Sequence, residues 1–229
     1  MNLPLLLRNS QIVELSHLYE ENMPVWPSHP KFIRATAESY AAGDGNYNNQ
    51  LLMGDHCGTH VDSPAHFIPD GKTIEEIDVR QLLGRGICID VSSTPAAAEF
   101  GISEMQAWEE SHGEIAAGDI VIFRTGYHNK WRLRPDHAPF LADWPGLSAA
   151  GACWLGEKKV KVVGTDAMSM DAWSNHHYPV HQALLGSDSL IIENLANLDR
   201  LPPIFTFIAL PLKIAGGSAS PVRAIALVE

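Results

Sequence analysis

The sequence predicts an α/β fold in which one domain, spanning residues 1–229, is built on a mixed or closed β-sheet. Three observations carry this prediction. Continuous apolar runs, typical of strands buried on both faces, occur at 86–91, 118–125, 160–166 and 190–193. Strand-like segments outnumber helical ones and differ from one another in pattern, which favours a mixed sheet. With 229 residues, of which 45% are hydrophobic, the chain is long enough to bury a substantial core.

The first third of the chain is predicted to contain strands and loops. Strands are expected at 11–18, 32–40 and 50–53, where apolar residues are bounded by turn-forming residues. Residues 23–30 contain three prolines, which exclude regular structure there. Trp26 in that loop is a rigid aromatic residue that either packs against the core or lines a substrate pocket.

The rest of the chain is predicted to combine helices, buried strands and two irregular loops. Helices are expected at 74–83, 103–111, 148–155 and 179–185. The first has an acidic start and helical apolar spacing, and Ser103 and Ser148 are suitable N-cap residues for the next two. Loops are expected at 126–145, which is rich in aromatic residues without periodicity, and at 167–178. The final strands are expected at 204–209 and 222–228.

A histidine-rich stretch follows the strand predicted at 50–53. Four groups that can bind a metal ion or transfer a proton, His56, His60, Asp62 and His66, fall within eleven residues. All have even numbers, so on an extended segment they point to the same side. A straight strand would hold His56 and His60 roughly 13 Å apart at ~3.3 Å per residue. We therefore expect a bend near Gly58-Thr59, which brings the two imidazoles together.

These residue types point to a catalytic metal site. Imidazole and carboxylate ligands suit zinc, manganese or iron, and three such ligands leave coordination positions open for water or substrate. A single histidine is more often an ordinary surface or core residue. Three histidines and an aspartate at this spacing, punctuated by glycine and proline, favour a functional site over that alternative.

His181 and Glu193 are candidates for the second half of the site. Glu193 ends a buried strand, where a carboxylate is costly unless it is paired or bound to a metal ion. His181 lies at the start of a helix twelve residues earlier, and a helix followed by a strand can fold back on itself. Each alone is consistent with a surface histidine and a salt-bridged glutamate. Beside the histidine-rich stretch, they become candidate ligands of a second ion, with Asp62 or Glu193 as the bridging carboxylate.

Composition excludes several other classes of protein. The net charge is −11 and there is no Lys/Arg-rich run, so neither nucleic acid nor an anionic membrane is an expected partner. The three cysteines, Cys57, Cys88 and Cys153, form neither a disulfide framework nor a CxxC pair. Reduced thiols fit a cytoplasmic location. The apolar N-terminal residues are too few for a signal peptide, and no apolar run is long enough for a transmembrane helix.

The sequence His-Cys-Gly-Thr-His-Val-Asp-Ser-Pro-Ala-His at 56–66 resembles the signature of the cyclase family of metal-dependent hydrolases. This family includes bacterial kynurenine formamidase and isatin hydrolase. The resemblance extends over most of the chain through shorter matches at 14–17, 24–27, 118–121, 124–126, 164–171 and 210–213. It implies a compact α/β domain of the swivelling β/α type, with a mixed, barrel-like β-sheet core flanked by helices, assembled as a homodimer or homotetramer.

The resemblance also implies a ligand set. His56, His60 and Asp62 would hold one divalent ion, zinc or manganese. His181 and Glu193 would complete a second site, with Asp62 and Glu193 shared between the two. One or two ions are compatible with this set.

The implied reaction is hydrolysis of a C–N amide bond in a small aromatic substrate, either an arylformamide such as N-formylkynurenine or a cyclic amide such as isatin. His66 would be the catalytic acid/base, with a pKa near its ordinary value of about 6.5. Trp26 would face the substrate ring. Residues 166–169 depart from the Asp-Thr-Pro-Ser of the formamidases, and the loops at 126–145 and 216–220 also differ, so isatin-type substrates stay open.

Two other functions use the same residues. The first is a metal-dependent lyase or dehydratase, or a lactone or ester hydrolase, acting at the same site. The second is a non-catalytic protein with a structural metal ion. A structural site requires a saturated set of ligands, whereas His66 is left unassigned beside an open triad, so the non-catalytic alternative is disfavoured.

Overall fold

The structure is a computed structural model that describes residues 7–228. Its strands lie at Gln11–Glu14 (β1), Ile33–Glu38 (β2), Asn48–Leu52 (β3), His60–Asp62 (β4), Leu83–Asp90 (β5), Glu99–Phe100 (β6), Ile120–Arg124 (β7), Gly146–Leu147 (β8), Val162–Thr165 (β9), Leu190–Glu193 (β10), Ile204–Pro211 (β11) and Ala219–Val228 (β12). Its α-helices include Ile102–His112 (α1), Ala149–Glu157 (α2) and Pro179–Gly186 (α3).

The main sheet closes on itself, which confirms the predicted mixed, barrel-like core. Seven strands follow one another in the order β12, β11, β5, β7, β9, β10 and β4, and β4 pairs again with β12. The four central strands β5, β7, β9 and β10 are parallel, whereas the others pair antiparallel. One edge of β12 pairs with β4 at residues 219–221 and with β1 at residues 225–228. Closure removes the unpaired strand edges that an open sheet would expose.

The apolar strands are buried on both faces, as their continuous hydrophobic pattern predicts. In β7, Ile120 and Ile122 belong to one core cluster, whereas Val121 and Phe123 belong to another. Successive side chains of a strand point to opposite faces, so a strand covered on both sides must be apolar throughout. The second cluster includes side chains of α2 and α3, which cover the outer face of the sheet.

The predicted helix at 74–83 is wrong. The chain instead forms two short 3-10 turns, Ile74–Glu76 and Val79–Leu82, and β5 begins at Leu83. Ile77 and Asp78 between them have extended backbones, and the Asp78 carboxylate accepts a hydrogen bond from the amide of Arg80. This side chain caps the start of the second turn, and an Asx cap of this kind competes with a continuous helix.

Other boundaries differ in smaller ways. The first strand ends at Glu14 rather than at residue 18, because residues 15–19 turn toward the histidine-rich stretch. The strands predicted at 32–40 and 50–53 are shorter or shifted, and they form a separate two-stranded hairpin, β2 and β3. Two short strands that the sequence did not indicate, β6 and β8, pair in parallel.

The 126–145 segment is irregular, as predicted, apart from 3-10 turns at Tyr127–Lys130 and Ala138–Leu141. Its aromatic residues Tyr127, Phe140 and Trp144 are buried in one cluster, against which Trp26 packs. All three cysteines are free thiols. Within residues 7–228, no helix combines the length and the apolar character that crossing a membrane requires.

Candidate active site

The histidine-rich stretch contains the expected bend. Gly58 has a φ of +62°, in the left-handed region that favours glycine. A Cβ at this position would lie 2.7 Å from the ring of Tyr19, whose hydroxyl donates a hydrogen bond to the carbonyl of Cys57. The bend brings the ring centroids of His56 and His60 to 5.2 Å from each other. The chain after the bend forms β4.

Strand pairing brings the two halves of the site together. In the antiparallel pair of β4 and β10, Glu193 lies directly opposite His60, and Asp62 lies opposite Ile191. Residues directly opposite each other share a face of the sheet, as do His60 and Asp62 two positions apart. Both carboxylates and His60 therefore point to the same side. His181, in the first turn of α3, reaches the same place.

Asp62 is at the centre of the site and is only 1% exposed. Its Oδ1 lies 2.8 Å from Nδ1 of His56 and 3.3 Å from Nε2 of His60, and its Oδ2 lies 3.5 Å from Nε2 of His181. Among residues 7–228, neither oxygen has a hydrogen-bond donor. Burying a carboxylate without hydrogen-bond donors costs free energy, and a cation bound beside Asp62 would offset that cost.

Glu193 lies near the imidazoles of His60 and His181, on the side opposite Asp62. Its Oε1 lies 3.2 Å from Nε2 of His181, and its Oε2 lies 3.7 Å from Nε2 of His60. The amide of Met170 donates a hydrogen bond to Oε1 at 2.8 Å and fixes the carboxylate. His60, His181 and Glu193 thus surround the free oxygens of Asp62.

In both His60 and His181, the ring nitrogen that points away from Asp62, Nδ1, is hydrogen-bonded to an acceptor of the protein. Nδ1 of His60 lies 2.8 Å from the carbonyl oxygen of Gly58, which can only accept a hydrogen bond. Nδ1 of His181 lies 2.6 Å from the carboxylate of Asp171, which also accepts from the backbone amides of Val180 and His181. Each Nδ1 therefore carries a proton, and in its neutral form each ring presents the lone pair of Nε2 to the carboxylates. This is the arrangement of metal-binding histidines and their supporting residues.

His56 is oriented by residues that the sequence analysis missed. Its Nε2 lies 3.0 Å from Oγ of Ser218, and the Ser218 hydroxyl donates to Oδ2 of Asp55 at 2.9 Å. Because Ser218 uses its proton for Asp55, it accepts the hydrogen bond from Nε2 of His56. Nδ1 of His56 then has a lone pair directed at Asp62. The adjacency of Asp55 to the motif was a signal in the sequence, but its connection to Ser218 exists only in the fold.

The lone pairs of His56, His60 and His181 all face carboxylates, which is unfavourable unless positive charge lies between them. Protons or a metal ion can supply that charge. The pKa values of His60 and His181 also indicate that positive charge is favoured here. Burial opposes protonation of His60, but Asp62 and Glu193 raise its pKa to about 9. Burial likewise opposes protonation of His181, yet the protonated ring could donate to Asp62 and Glu193 as well as to Asp171, which raises its pKa well above the ordinary value. The donor set fits a divalent cation.

The structure divides the ligand atoms into two groups that share Asp62. His56, Asp62 and His66 form one group, and His60, Asp62 and Glu193 form the other, with the ligand atoms of each group within 4.8 Å of one another. The resemblance to known enzymes implied that His56 and His60 hold one ion together with Asp62 and that His66 lies outside the ligand set, and both His56 and His60 do lie near Oδ1 of Asp62, at 2.8 Å and 3.3 Å. In the structure the rings of His56 and His66 are 3.9 Å apart.

His66 differs from expectation in its pKa. Burial, with additional repulsion from His56 and His181, lowers the pKa of His66 to about 4, whereas the sequence suggested a value near 6.5. The cause is its position in the wall of a cavity between other histidines. The imidazole is therefore neutral at neutral pH.

A cavity of about 200 Å³ opens over the two groups of ligand atoms. Trp26 lies in its wall and also packs against the buried aromatic cluster, so its position fits both interpretations of this residue. The other lining residues are His29, His56, His60, His66, Phe67, Met168, Ser169, Tyr178, His181 and Glu193. Of the lining residues, the sequence analysis did not identify His29, Phe67, Met168, Ser169 and Tyr178, of which Phe67 and Tyr178 carry the large aromatic side chains. Their rings are 5.5 Å apart and close one side of the cavity.

Comparison with known proteins adds independent information. A sequence model of the family described as "Putative cyclase" matches residues 13–172, a range that contains the histidine-rich stretch. The chain is 33% identical over 245 residues to isatin hydrolase of Roseibium aggregatum, across 95% of this chain and 92% of the relative. It is 29% identical over 218 residues to kynurenine formamidase of Erythrobacter litoralis, across 94% of this chain and 93% of the relative.

Solved structures are similar over nearly the whole chain. Isatin hydrolase A from Ralstonia solanacearum superposes with a TM-score of 0.89 at 32% identity, covering 100% of this chain and 98% of that one. Isatin hydrolase A from Labrenzia aggregata, bound to benzyl benzoate, gives a TM-score of 0.89 at 29% identity and covers 99% of this chain and 98% of that one. The closed mixed sheet is thus shared with enzymes of known structure.

Proposed function

The chain belongs to the cyclase family of metal-dependent hydrolases, and on that premise we propose that it hydrolyses the C–N amide bond of a small aromatic substrate. One observation supports this most strongly. Two groups of imidazole and carboxylate ligands share a buried aspartate, Asp62, whose oxygens have no donor among residues 7–228, and they lie at the base of an open cavity. A structural metal ion would be enclosed by its ligands, whereas a catalytic ion needs access to substrate.

The ligands of this site are His56, His60, Asp62, His181 and Glu193, and they hold one or two divalent ions. Nitrogen and carboxylate donors without a thiolate suit zinc or manganese. A bound ion supplies Lewis acidity, which activates water and polarises the substrate carbonyl. The supporting contacts to Gly58, Asp171 and Ser218 keep the imidazole lone pairs directed inward in advance of ion binding.

His66 is the proton carrier. Its ring lies 3.9 Å from that of His56 and 5.9 Å from that of His181, in the wall of the cavity. It would therefore be within reach of a water molecule and of an amide nitrogen bound in this part of the cavity. His66 accepts the proton of the water and delivers it to that nitrogen. Proton transfer of this kind commonly contributes ~10² to 10⁴-fold to the rate.

The aromatic walls of the cavity bind the ring of the substrate. Trp26 lies on one side, with its ring centroid 6.4 Å from that of Tyr178, and Phe67 packs beside His66 at 4.6 Å. Flat apolar side chains bury an aromatic ring efficiently and leave the amide bond as the polar part of the substrate. The amide then points toward the histidines and carboxylates.

A cyclic aromatic amide such as isatin is the first candidate substrate, and an arylformamide such as N-formylkynurenine is the second. The first is favoured by the isatin hydrolases, which superpose with TM-scores of 0.88 to 0.89. The second is supported by the curated kynurenine formamidases at 28 to 31% identity. Both reactions use the same attack of water on an amide carbonyl.

The test combines metal analysis with a substrate panel. The purified protein is analysed for zinc and manganese, and turnover of isatin, N-formylkynurenine, a lactone and an aryl ester is then measured with each metal. Hydrolysis in ¹⁸O-labelled water must place the label in the acid product. Elimination without incorporation of the label would identify a lyase or dehydratase, and binding of metal without any turnover would leave a non-catalytic role.

The functional assembly is a homodimer or homotetramer in the cytoplasm. The β2 and β3 hairpin supports self-association, because its apolar residues Ile33, Leu51 and Leu52 are 45%, 55% and 58% exposed. A two-stranded hairpin on its own is only marginally stable in water, so a second copy that covers this surface would stabilise it. Light scattering should give a mass of two or four chains. A monomer at micromolar concentration would contradict this part of the proposal.

A further inference from the structure

A second cavity, of about 180 Å³, adjoins the cavity over the metal ligands. We call it the annex. Trp26, Met168, Ser169 and Tyr178 line both cavities, so the two are continuous along these side chains. None of the six candidate ligand or proton-transfer residues lines the annex. It is therefore a space beside the reaction centre that the proposed mechanism does not use.

The far wall of the annex is built from tryptophans. Trp144, which is 2% exposed, comes from the irregular 126–145 segment, and its ring nitrogen donates to the carbonyl of Asp171 at 2.8 Å. Trp173 packs edge-on against Trp144, with centroids 4.8 Å apart, and Trp26 does so at 5.9 Å. Three tryptophans fixed by mutual packing and a buried hydrogen bond form a rigid apolar surface. The aromatic-rich segment thus contributes to a binding surface.

Tyr178 lies at the boundary between the two cavities. Its backbone adopts a φ of +51°, in a region that non-glycine residues seldom occupy. The start of α3 holds it there, because Asp171 accepts hydrogen bonds from the amides of Val180 and His181. The ring of Tyr178 packs edge-on against that of Trp26, with centroids 6.4 Å apart. This unusual backbone places an aromatic ring at the junction, where it lines both cavities.

We propose that the annex binds a second aromatic ring of the substrate, remote from the amide bond that is cleaved. Its volume of about 180 Å³ matches one ring, since an apolar cavity of roughly 150 Å³ binds benzene. The first cavity, of about 200 Å³, has room for the ring that carries the amide. The substrate class is then an aromatic amide with a second ring joined by a short linker. This inference rests on the proposed function for the position of the amide.

Binding of compounds that cannot be hydrolysed tests the annex separately from catalysis. Acetophenone has one ring and a ketone, and benzyl phenyl ketone has the same group with a second ring. Dissociation constants of the metal-loaded protein for both are measured by equilibrium dialysis. Benzyl phenyl ketone should bind about tenfold tighter or better, since apolar groups in a well-fitting pocket are discriminated by that order of magnitude.

Variants localise the effect to the annex. Leu141 lines the annex but not the first cavity, and Leu141→Trp should fill it and reduce the affinity ratio toward one. Trp173→Ala removes part of the wall and should also reduce the ratio, which covers the case in which Leu141→Trp fails to fold. Leu212→Trp makes the same change at a residue that is 53% exposed and in neither cavity, and it should keep the wild-type ratio.

Equal binding of the two ketones by the wild type would overturn the inference. An affinity ratio equal to that of the wild type in both Leu141→Trp and Trp173→Ala would also overturn it. If the protein hydrolyses one-ring amides but binds the two ketones equally, the proposed function would stand and the annex would not be a ring-binding site. A protein that shows the ratio but hydrolyses no amide would lose the proposed function, while the annex would stand as a ring-binding site.

Discussion

Glu193 lies directly opposite His60 across the antiparallel pair of β10 and β4. This register brings a carboxylate from the second half of the chain to the histidine-rich stretch of the first half. Because side chains alternate between faces along a strand, a slip of one residue would turn Glu193 away from the site. The closed sheet fixes the register, and the candidate metal centre depends on it.

Replacement of Asp62 should abolish metal binding and activity together. Asp62→Ala removes the carboxylate shared by both groups of ligand atoms, so metal affinity should fall by about 100-fold or more, beyond the usual effect of changing a supporting residue. Metal content by plasma mass spectrometry after dialysis, together with turnover, measures this. Asp136→Ala, at an exposed position, is the control and should retain the metal. A metal-replete Asp62→Ala enzyme would rule out the ligand assignment.

His66→Ala separates proton transfer from metal binding. If His66 transfers protons, turnover should fall by ~10² to 10⁴-fold while the metal content stays at the wild-type level. His177→Ala, at an exposed histidine, is the matched control and should change neither quantity. Loss of metal from His66→Ala would instead make His66 a ligand, as its grouping with His56 and Asp62 allows.

Ser218 should position His56 through a hydrogen bond rather than by packing. Ser218→Ala removes the acceptor for Nε2 of His56 and should weaken metal binding by about 10 to 100-fold, the usual effect of a supporting residue. Nitrogen NMR of the metal-free protein should show His56 losing its preference for the tautomer with the proton on Nε2. Ser218→Thr keeps the hydroxyl and should restore both properties. An unchanged tautomer in Ser218→Ala would contradict the role.

The His128 imidazole should make stability depend on pH. Burial lowers its pKa, but Asp166, whose carboxylate lies 2.6 Å away, and Asp199 at 3.3 Å raise it above the ordinary value on balance. A raised folded-state pKa stabilises the protein fully below the unfolded value of about 6.5, and the contribution is lost as the pH rises through the folded pKa. Burial and the nearby His128 lower the pKa of His17 to about 4. His17 therefore has the opposite effect on stability: it favours unfolding as the pH falls below its unfolded pKa of about 6.5.

Urea unfolding of wild type and His128→Gln at several pH values measures this effect. The substitution should cost roughly 1.5 to 3 kcal/mol near pH 5.5, where it breaks a charged hydrogen bond to buried Asp166, and less as the pH rises. His137→Gln, at a half-buried histidine without a carboxylate partner among the described residues, should show no such trend. A cost for His128→Gln that is the same at all pH values would contradict the expected titration of His128.

Local sequence patterns determined much of the fold and the first half of the site. The strands β5, β7, β9 and β10 follow from apolar runs, because a strand covered on both faces must be apolar along its length. The bend at Gly58 followed from the spacing of His56 and His60, since only a turn brings side chains four positions apart on a strand into contact. By contrast, the 74–83 segment had helical spacing, but the cap formed by Asp78 divided it.

What the sequence by itself determined is the chemistry: which residue types are available, and that Asp62 and its neighbouring histidines must face one way. Only the tertiary structure decided which residues support them. Asp171 holds His181, Ser218 joins Asp55 to His56, and tryptophans from three separate loops form the annex. Ser218 and Asp55 are 163 positions apart, and even Asp171 and His181 are separated by ten, so no local period encodes these contacts. The register of the closed sheet and the packing of its loops create them when the chain folds.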